Sequence, residues 1–185
     1  YQSASGAGAM AMAELEAGTR AYLEGEPFTP QIFQHPYAFN LFSHNTPIGS
    51  DGFNGEETKV VQECRKILDF PGLAMCVTCV RVPVLRSHSI SLVLEFEDQA
   101  PSEDEARQIL SESSGVKVVD DRAANHFPMP SDSNGDVNVL VGRIRQDPSH
   151  PRSLAMFVCG DQLLKGAAWN AVQITERLAV ERGGR

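Results

Sequence analysis

Between Ser89 and Glu97 the chain alternates: Ile90, Leu92, Leu94 and Phe96 take one side, and Ser89, Ser91, Val93, Glu95 and Glu97 the other. A period of two marks a strand, because successive side chains leave a pleated strand on opposite faces. One covered and one wet face is the habit of antiparallel or mixed sheets; strands of all-parallel sheets are buried on both sides. An all-helical fold is thereby excluded.

Around this strand the chain supplies partners and covering helices. An Ala-rich helix is predicted over residues 7–23, stopped by Gly25 and Pro27. Residues 26–53 carry four prolines and read as loop, with a short strand over 37–42. Asn54 caps a helix over 55–69 whose apolar stripe is Val60, Val61, Cys64, Ile67 and Leu68. Strands are predicted over 74–83 and 89–97. Ser102 and Glu105 form a capping box that opens a helix over 103–111. Further strands fit 116–119, 137–145 and 154–159, with a polar loop over 120–136 and a last helix over 162–181. Strands joined by turns, with helices grouped between them, make an α+β domain: a largely antiparallel, mixed sheet with helices on one face.

The 185 residues suffice for one domain with its own core. Lys and Arg number 16 against 24 Asp and Glu, a net charge of −8, which argues against a nucleic-acid or anionic-membrane binder. No apolar run reaches the roughly 18 residues of a membrane span, and no signal peptide is read at the start. The chain opens at Tyr1 without an initiator Met and reads as the later part of a longer protein. Cys76 and Cys79 form a C-x-x-C, but on a strand residues three apart face opposite ways, so no metal site is expected.

Several residues invite chemistry. Arg81 lies inside an apolar strand, where a buried guanidinium needs an anion. That anion is either an internal carboxylate or the carboxylate of a substrate, which arginine grips with two parallel N–H bonds. His88 sits between two serines where one strand gives way to the next, either as a satisfied polar residue or as a general acid/base. Glu56 and Lys59 share a stripe of their helix with Glu63. They are either a solvated ion pair or a pair of ligands, Glu56 for an ammonium group and Lys59 for a phosphate. The small-residue run from Ser3 to Gly8 leads into a helix, and is either close packing or an anion-holding loop. On the last helix, Leu163, Leu164, Ala167, Ala168, Ala171 and Ile174 form a face for this domain's core or for another element.

Six segments together resemble aspartate-β-semialdehyde dehydrogenase, in the family's order and over nearly the whole chain: Tyr1-Gln2-Ser3-Ala4-Ser5-Gly6-Ala7-Gly8, Tyr37-Ala38-Phe39-Asn40-Leu41-Phe42, the run from Gly52 to Lys59, the run from Cys79 to His88, the run from Val141 to Asp147, and the run from Asp161 to Asn170. The resemblance implies a glyceraldehyde-3-phosphate-dehydrogenase-like carboxy-terminal domain. It implies a substrate-binding and dimerisation domain over 1–160, and a closing helix over 161–185 that packs on a nucleotide-binding domain outside this chain. It implies an NADPH-dependent enzyme that converts L-aspartyl 4-phosphate to L-aspartate 4-semialdehyde, working as a homodimer in lysine, methionine and threonine synthesis.

Residue by residue, the resemblance makes His88 the acid/base partner of a nucleophilic cysteine and has Gln2 orient the reacting acyl group. Arg81 takes the substrate α-carboxylate, Glu56 its ammonium group and Lys59 the phosphate. Ser5, Gly6 and Asn170 lie toward NADP. The family's nucleophile belongs upstream of the Tyr1-Gln2 segment, so this piece alone is expected to be inactive. Where the family usually has Glu two residues after the histidine, this chain has Ile90. The compartment follows the organism: cytoplasm for a bacterium, plastid stroma for a plant or alga. One alternative is a non-catalytic dimerisation module descended from the enzyme. Another makes Cys79 a nucleophile for His88, although a mid-strand thiol lacks the helix N-terminus that lowers a cysteine pKa.

Overall fold

A computed structural model describes residues 1–183; the final two residues of the predicted closing segment 161–185 lie outside the described residues. The chain divides into two compact units, Tyr1–Leu85 and Arg86–Arg185.

The first unit is built mostly from helix and loop. A 3₁₀ turn, Ala4–Ala7, leads through Gly8 into α1, Ala9–Glu24. The helix ends on Gly25, whose φ of 73° is the left-handed conformation a helix stop requires. β1 is Phe42–Ser43, α2 is Gly55–Ile67 and β2 is Val80–Arg81. β1 and β2 pair antiparallel, with Phe42 opposite Arg81, and Gln2 bridges Arg81 in parallel. Ala4, Ala11, Leu15, Phe33 and Tyr37 form the core. Buried Glu14 of α1 accepts backbone N–H groups from Gln31, Ile32 and Phe33, which pins the loop to the helix.

Two predicted strands are corrected here. Over 37–42 only Phe42 is strand. Phe39 takes a φ of 54° and the Asn40 amide donates to the Pro36 carbonyl, so the segment turns before it can extend. Over 74–83 only Val80 and Arg81 are strand. Residues 73–79 do alternate in burial. Their backbone partners, however, come singly: Cys79 N–H donates to the Glu57 carboxylate at 2.8 Å, and the Cys79 carbonyl accepts from His44 N–H at 3.0 Å.

The second unit carries the sheet. Its elements are β3 (His88–Glu95), α3 (Glu103–Glu112), β4 (Val116–Val118), a single turn α4 (Pro130–Ser133) inside the predicted loop, β5 (Val139–Gln146) and β6 (Ser153–Gly160). A π-helical turn, Leu164–Ala168, then precedes α5, Trp169–Gly183. The strand order is β3-β6-β5-β4; the first two pairings are antiparallel and β4 runs parallel to β5. The mixed α+β architecture matches the expectation. Its core joins Ala106 of α3 to Val141, Ile144, Leu154 and Met156 of the sheet.

β3 forms where the alternation predicted it, but burial does not follow the predicted faces: Ser89, on the side read as wet, is buried, and only part of the apolar side is covered. Leu92 and Phe96 pack on the core, whereas Ile90 is 53% and Leu94 38% exposed. The apolar face predicted for the last helix is likewise uncovered within this chain: α5 buries no residue, and Ile174 is exposed. Among the described residues no helix is long and apolar enough to cross a membrane.

Candidate functional site

The first unit gathers a polar centre around Arg81. β2 carries the guanidinium inward, where it is only 4% exposed and lies 5.4 Å from the centre of the Phe33 ring. Its Nη1 donates to the Ser3 carbonyl at 3.0 Å, Nη2 to His44 Nε2 at 2.9 Å, and Nη2 and Nε to Asn45 Oδ1 at 3.1 and 3.3 Å. All these acceptors are neutral. No carboxylate among the described residues forms an ion pair with Arg81, so the internal salt bridge weighed from the sequence is not made. Burial pulls the guanidinium down from its ordinary value, but arginine has far to fall before losing its proton. The result is a buried cation held by hydrogen bonds to neutral groups, with the Glu56 charge acting on it but no carboxylate in direct contact among the described residues.

His44 continues the network. Burial first, and then the charge of Arg81, push its pKa below the ordinary histidine value, which keeps it neutral. Its Nε2 faces Arg81, while its Nδ1 lies 3.2 Å from Thr46 Oγ1 and 3.3 Å from the Thr46 backbone N–H. That same hydroxyl accepts the backbone N–H of Glu56 at 3.1 Å. Arg81 is therefore linked to the first turn of α2 through two side chains.

A capping box fixes that turn. Asn54 Oδ1 accepts Glu57 N–H at 2.9 Å and Glu57 Oε2 accepts Asn54 N–H at 2.9 Å. Because Glu57 also takes Cys79 N–H, one carboxylate ties the helix start to the segment entering β2. Glu56, next in line, receives Gln2 Nε2 at 3.0 Å and the Lys59 ammonium at 2.8 Å. Burial pushes its carboxyl up, but Lys59 and Gln2 outweigh burial and hold it below the usual carboxylate range. Gln2 is clamped by its backbone: its carbonyl accepts the Tyr37 hydroxyl at 3.1 Å and Val82 N–H at 3.1 Å. Burial pushes the Tyr37 phenol up to about 12, so it stays a donor. The side-chain oxygen of Gln2 is buried with no hydrogen-bond partner among the described residues, an acceptor left over on a side chain whose amide nitrogen is held by Glu56.

Of the predicted site residues, the first unit brings together Gln2, Glu56, Lys59 and Arg81. Ser5 and Gly6 belong to its 3₁₀ turn; Ser5 is buried with its hydroxyl 3.0 Å from that of Ser3, and Gly6 is exposed. The second unit holds His88, the first residue of β3, paired across the ladder with Gly160. It also holds Asn170, exposed in the first turn of α5. Gly6 and Asn170 are accessible to a polar cofactor, while Ser5 fits one only by shaping the turn. Among the described residues no cluster of three His, Cys, Asp or Glu could hold a metal ion. Cys79 is buried, and burial followed by the Glu57 carboxylate pushes its thiol pKa up, away from nucleophile chemistry.

His44, Asn45 and Thr46 are the functional residues that sequence reasoning missed. Their signal was the polar run Ser43-His44-Asn45-Thr46 directly after an aromatic strand residue and before Pro47.

The comparisons with known proteins bear on this arrangement. Residues 1–165 match the family described as semialdehyde dehydrogenase, dimerisation domain. The chain belongs to that family. It is 54% identical over 183 residues to the aspartate-semialdehyde dehydrogenase of Synechocystis, covering 99% of this chain and 54% of the relative. It is 37% identical to that of Bacillus subtilis over 96% of this chain and 54% of the relative. The crystal structure of aspartate semialdehyde dehydrogenase II from Vibrio cholerae superposes with a TM-score of 0.91 at 35% identity, over 98% of this chain and 53% of that one. A second structure of the Vibrio enzyme is complexed with ASA, and a Candida albicans relative was crystallised with NADP (TM-score 0.61, 25% identity, 80% of this chain and 46% of that one). This member of the semialdehyde dehydrogenase family thus spans about half the length of the relatives it matches, their carboxy-terminal half.

Proposed function

We propose that this chain supplies the substrate-binding half of an NADPH-dependent aspartate-semialdehyde dehydrogenase, which reductively dephosphorylates L-aspartyl 4-phosphate to L-aspartate 4-semialdehyde for lysine, methionine and threonine synthesis. The observation that carries the reading is Arg81, a buried guanidinium supported by three neutral acceptors and paired with no carboxylate among the described residues. A planar carboxylate that displaces one of these neutral acceptors regains Coulombic energy that they do not supply, in the bidentate geometry arginine favours.

The other roles follow from charge and position. Glu56 stays ionised and can exchange the Gln2 or Lys59 contact for a substrate ammonium group. Lys59, half-exposed, offers a flexible point charge to the phosphate. Gln2 presents an unpartnered oxygen from a clamped backbone and so can orient the reacting group. His88 holds and moves the proton of the nucleophilic thiol, which the resemblance places outside this chain. The nicotinamide cofactor supplies hydride when bound; on this chain Gly6 and Asn170 would meet it, with Ser5 shaping the turn. The description of the matched family as a dimerisation domain supports a homodimer.

In the full-length enzyme, Arg81→Lys should keep the charge and lose the fork, with kcat/KM falling by about 2–4 kcal/mol of transition-state binding. Unchanged kinetics with a large drop in melting temperature would make Arg81 a structural residue and overturn the reading.

A further inference from the structure

The entry to β3 is held at three successive residues by the exit of β6. Arg86 Nη2 meets Asp161 Oδ2 at 2.7 Å, and the Asp161 side chain is fully buried. Ser87 N–H donates to Gln162 Oε1 at 3.2 Å. His88 then opens the ladder opposite Gly160. Asp161 is itself immobilised, accepting Gly135 N–H at 2.9 Å and Leu163 N–H at 3.0 Å. Burial pushes its carboxyl up, but Arg86 and these two N–H groups prevail and hold it below the usual aspartate range.

This turn is unfavourable by itself. Ser87 adopts a φ of 76°, in the left-handed region that side chains other than glycine seldom enter, and it is 1% exposed. Its hydroxyl and the Arg86 Nε are buried without a hydrogen-bond partner among the described residues. Strain and unpaired polar groups persist only where the surroundings over-determine the conformation, and they gather where geometry serves function. An ion pair with one partner buried and the other 32% exposed adds little net stability, so stability alone does not account for one here. Directly after the strained residue comes His88.

We infer that Asp161 and Arg86 are positioning residues whose ion pair, anchored on the buried Asp161 carboxylate, sets the turn from which the His88 imidazole projects. This rests on the reading of His88 as the proton-transfer residue, and it assigns the orienting task to the strand entry rather than to position 90, where this chain has Ile.

The test is a double-mutant cycle in the full-length enzyme, with Asp161→Asn and Arg86→Lys made singly and each combined with His88→Asn. Asp161→Asn should lower kcat roughly ten- to a hundredfold, the scale of a misplaced catalytic group, while both KM values change little. In the His88→Asn background the same substitution should cost no more than about twofold, because its effect runs through the imidazole. Equal losses in both backgrounds, or a loss confined to KM, would place Asp161 in another task and overturn the inference. So would an unchanged kcat in Asp161→Asn. If Asp161→Asn does not fold, Arg86→Lys carries the same cycle, since it keeps a positive charge near Asp161 and removes the guanidinium that makes the contact. His88→Asn with normal kcat would instead defeat the reading of His88, and the two failures are told apart by which single variant stays active.

Discussion

In the second unit, three eight-residue strands satisfy one another's backbone groups, and apolar side chains fasten α3 to the sheet. In the first unit no run of paired strand exceeds two residues, and polar side chains do much of that work. Glu14 collects three N–H groups of one loop, Glu57 joins the start of α2 to Cys79, and His44 with Thr46 joins Arg81 to Glu56. A ladder tolerates exchange of most side chains, because the backbone holds it. A scaffold of side-chain hydrogen bonds does not, since each lost partner leaves a buried polar group unsatisfied. Substitutions in the first unit should therefore register in kinetics as well as stability, and those in the second mainly in stability, with His88 and the Asp161–Arg86 pair behind it as the exceptions.

His88→Asn is the strongest attempt to break this division. If the imidazole moves the proton of the reacting thiol, steady-state kinetics of the full-length enzyme should show kcat reduced by about 10²–10⁴ with substrate KM little changed. A wild-type kcat would leave the second unit purely architectural. Ile144→Ala should show the opposite behaviour. Ile144 is fully buried in the sheet core, so denaturant unfolding should reveal a loss of about 2–5 kcal/mol while kcat of the folded enzyme is preserved. A kinetic defect as large as that of Arg81→Lys would erase the distinction between the units.

Glu56→Asp sharpens the contrast from the other side. Shortening the side chain by one methylene draws the carboxylate away from a substrate ammonium group. If Glu56 contributes uniform binding, KM should rise roughly tenfold, about 1.4 kcal/mol, with kcat nearly unchanged and no shift in melting temperature. A fall in kcat at constant KM would instead place Glu56 in the chemical step.

What could be read in advance divides along the same line. Period-two alternation located β3, and an N-cap Asn and a capping box located the starts of α2 and α3, because each is a local pattern whose physics is complete within a few residues. Arg81 and the Glu56–Lys59 pair stood out because a charge within an apolar strand, or a carboxylate in a first helical turn, asks for a partner. The partners were not legible. Arg81 meets Asn45 across 36 positions and Glu57 meets Cys79 across 22, and no periodicity encodes a contact between a regular element and a distant loop. The same blindness produced the over-long strand at 74–83, whose alternation was genuine but whose hydrogen bonds go to a side chain and a loop. Exposure of Ile90 was hidden too, since alternation tells which face a residue takes and not whether anything covers it.

The finest test compares one motif in both settings. Asn54–Glu57 and Ser102–Glu105 are both capping boxes with both reciprocal bonds formed. The Asn54 box is buried, Asn54 being 1% and Glu57 7% exposed, whereas the hydrogen bonds of the Ser102 box are exposed. Ser102→Ala should cost about 0.5–1 kcal/mol, the ordinary loss for a solvated N-cap, and leave the kinetics untouched. Asn54→Ala should fall at the upper end of the capping range, near 2 kcal/mol, because the Glu57 N–H it abandons has no water to replace it. It should also raise substrate KM a few-fold, since Glu56 and Lys59 stand on the turn that Asn54 fixes and Asn54 Oδ1 lies within reach of the Thr46 hydroxyl. Thermal melts and kinetics on the two variants decide the matter. Equal stability losses with equal, silent kinetics would mean that burial of the cap contributes nothing to the site, and that α2 is placed by its apolar stripe alone.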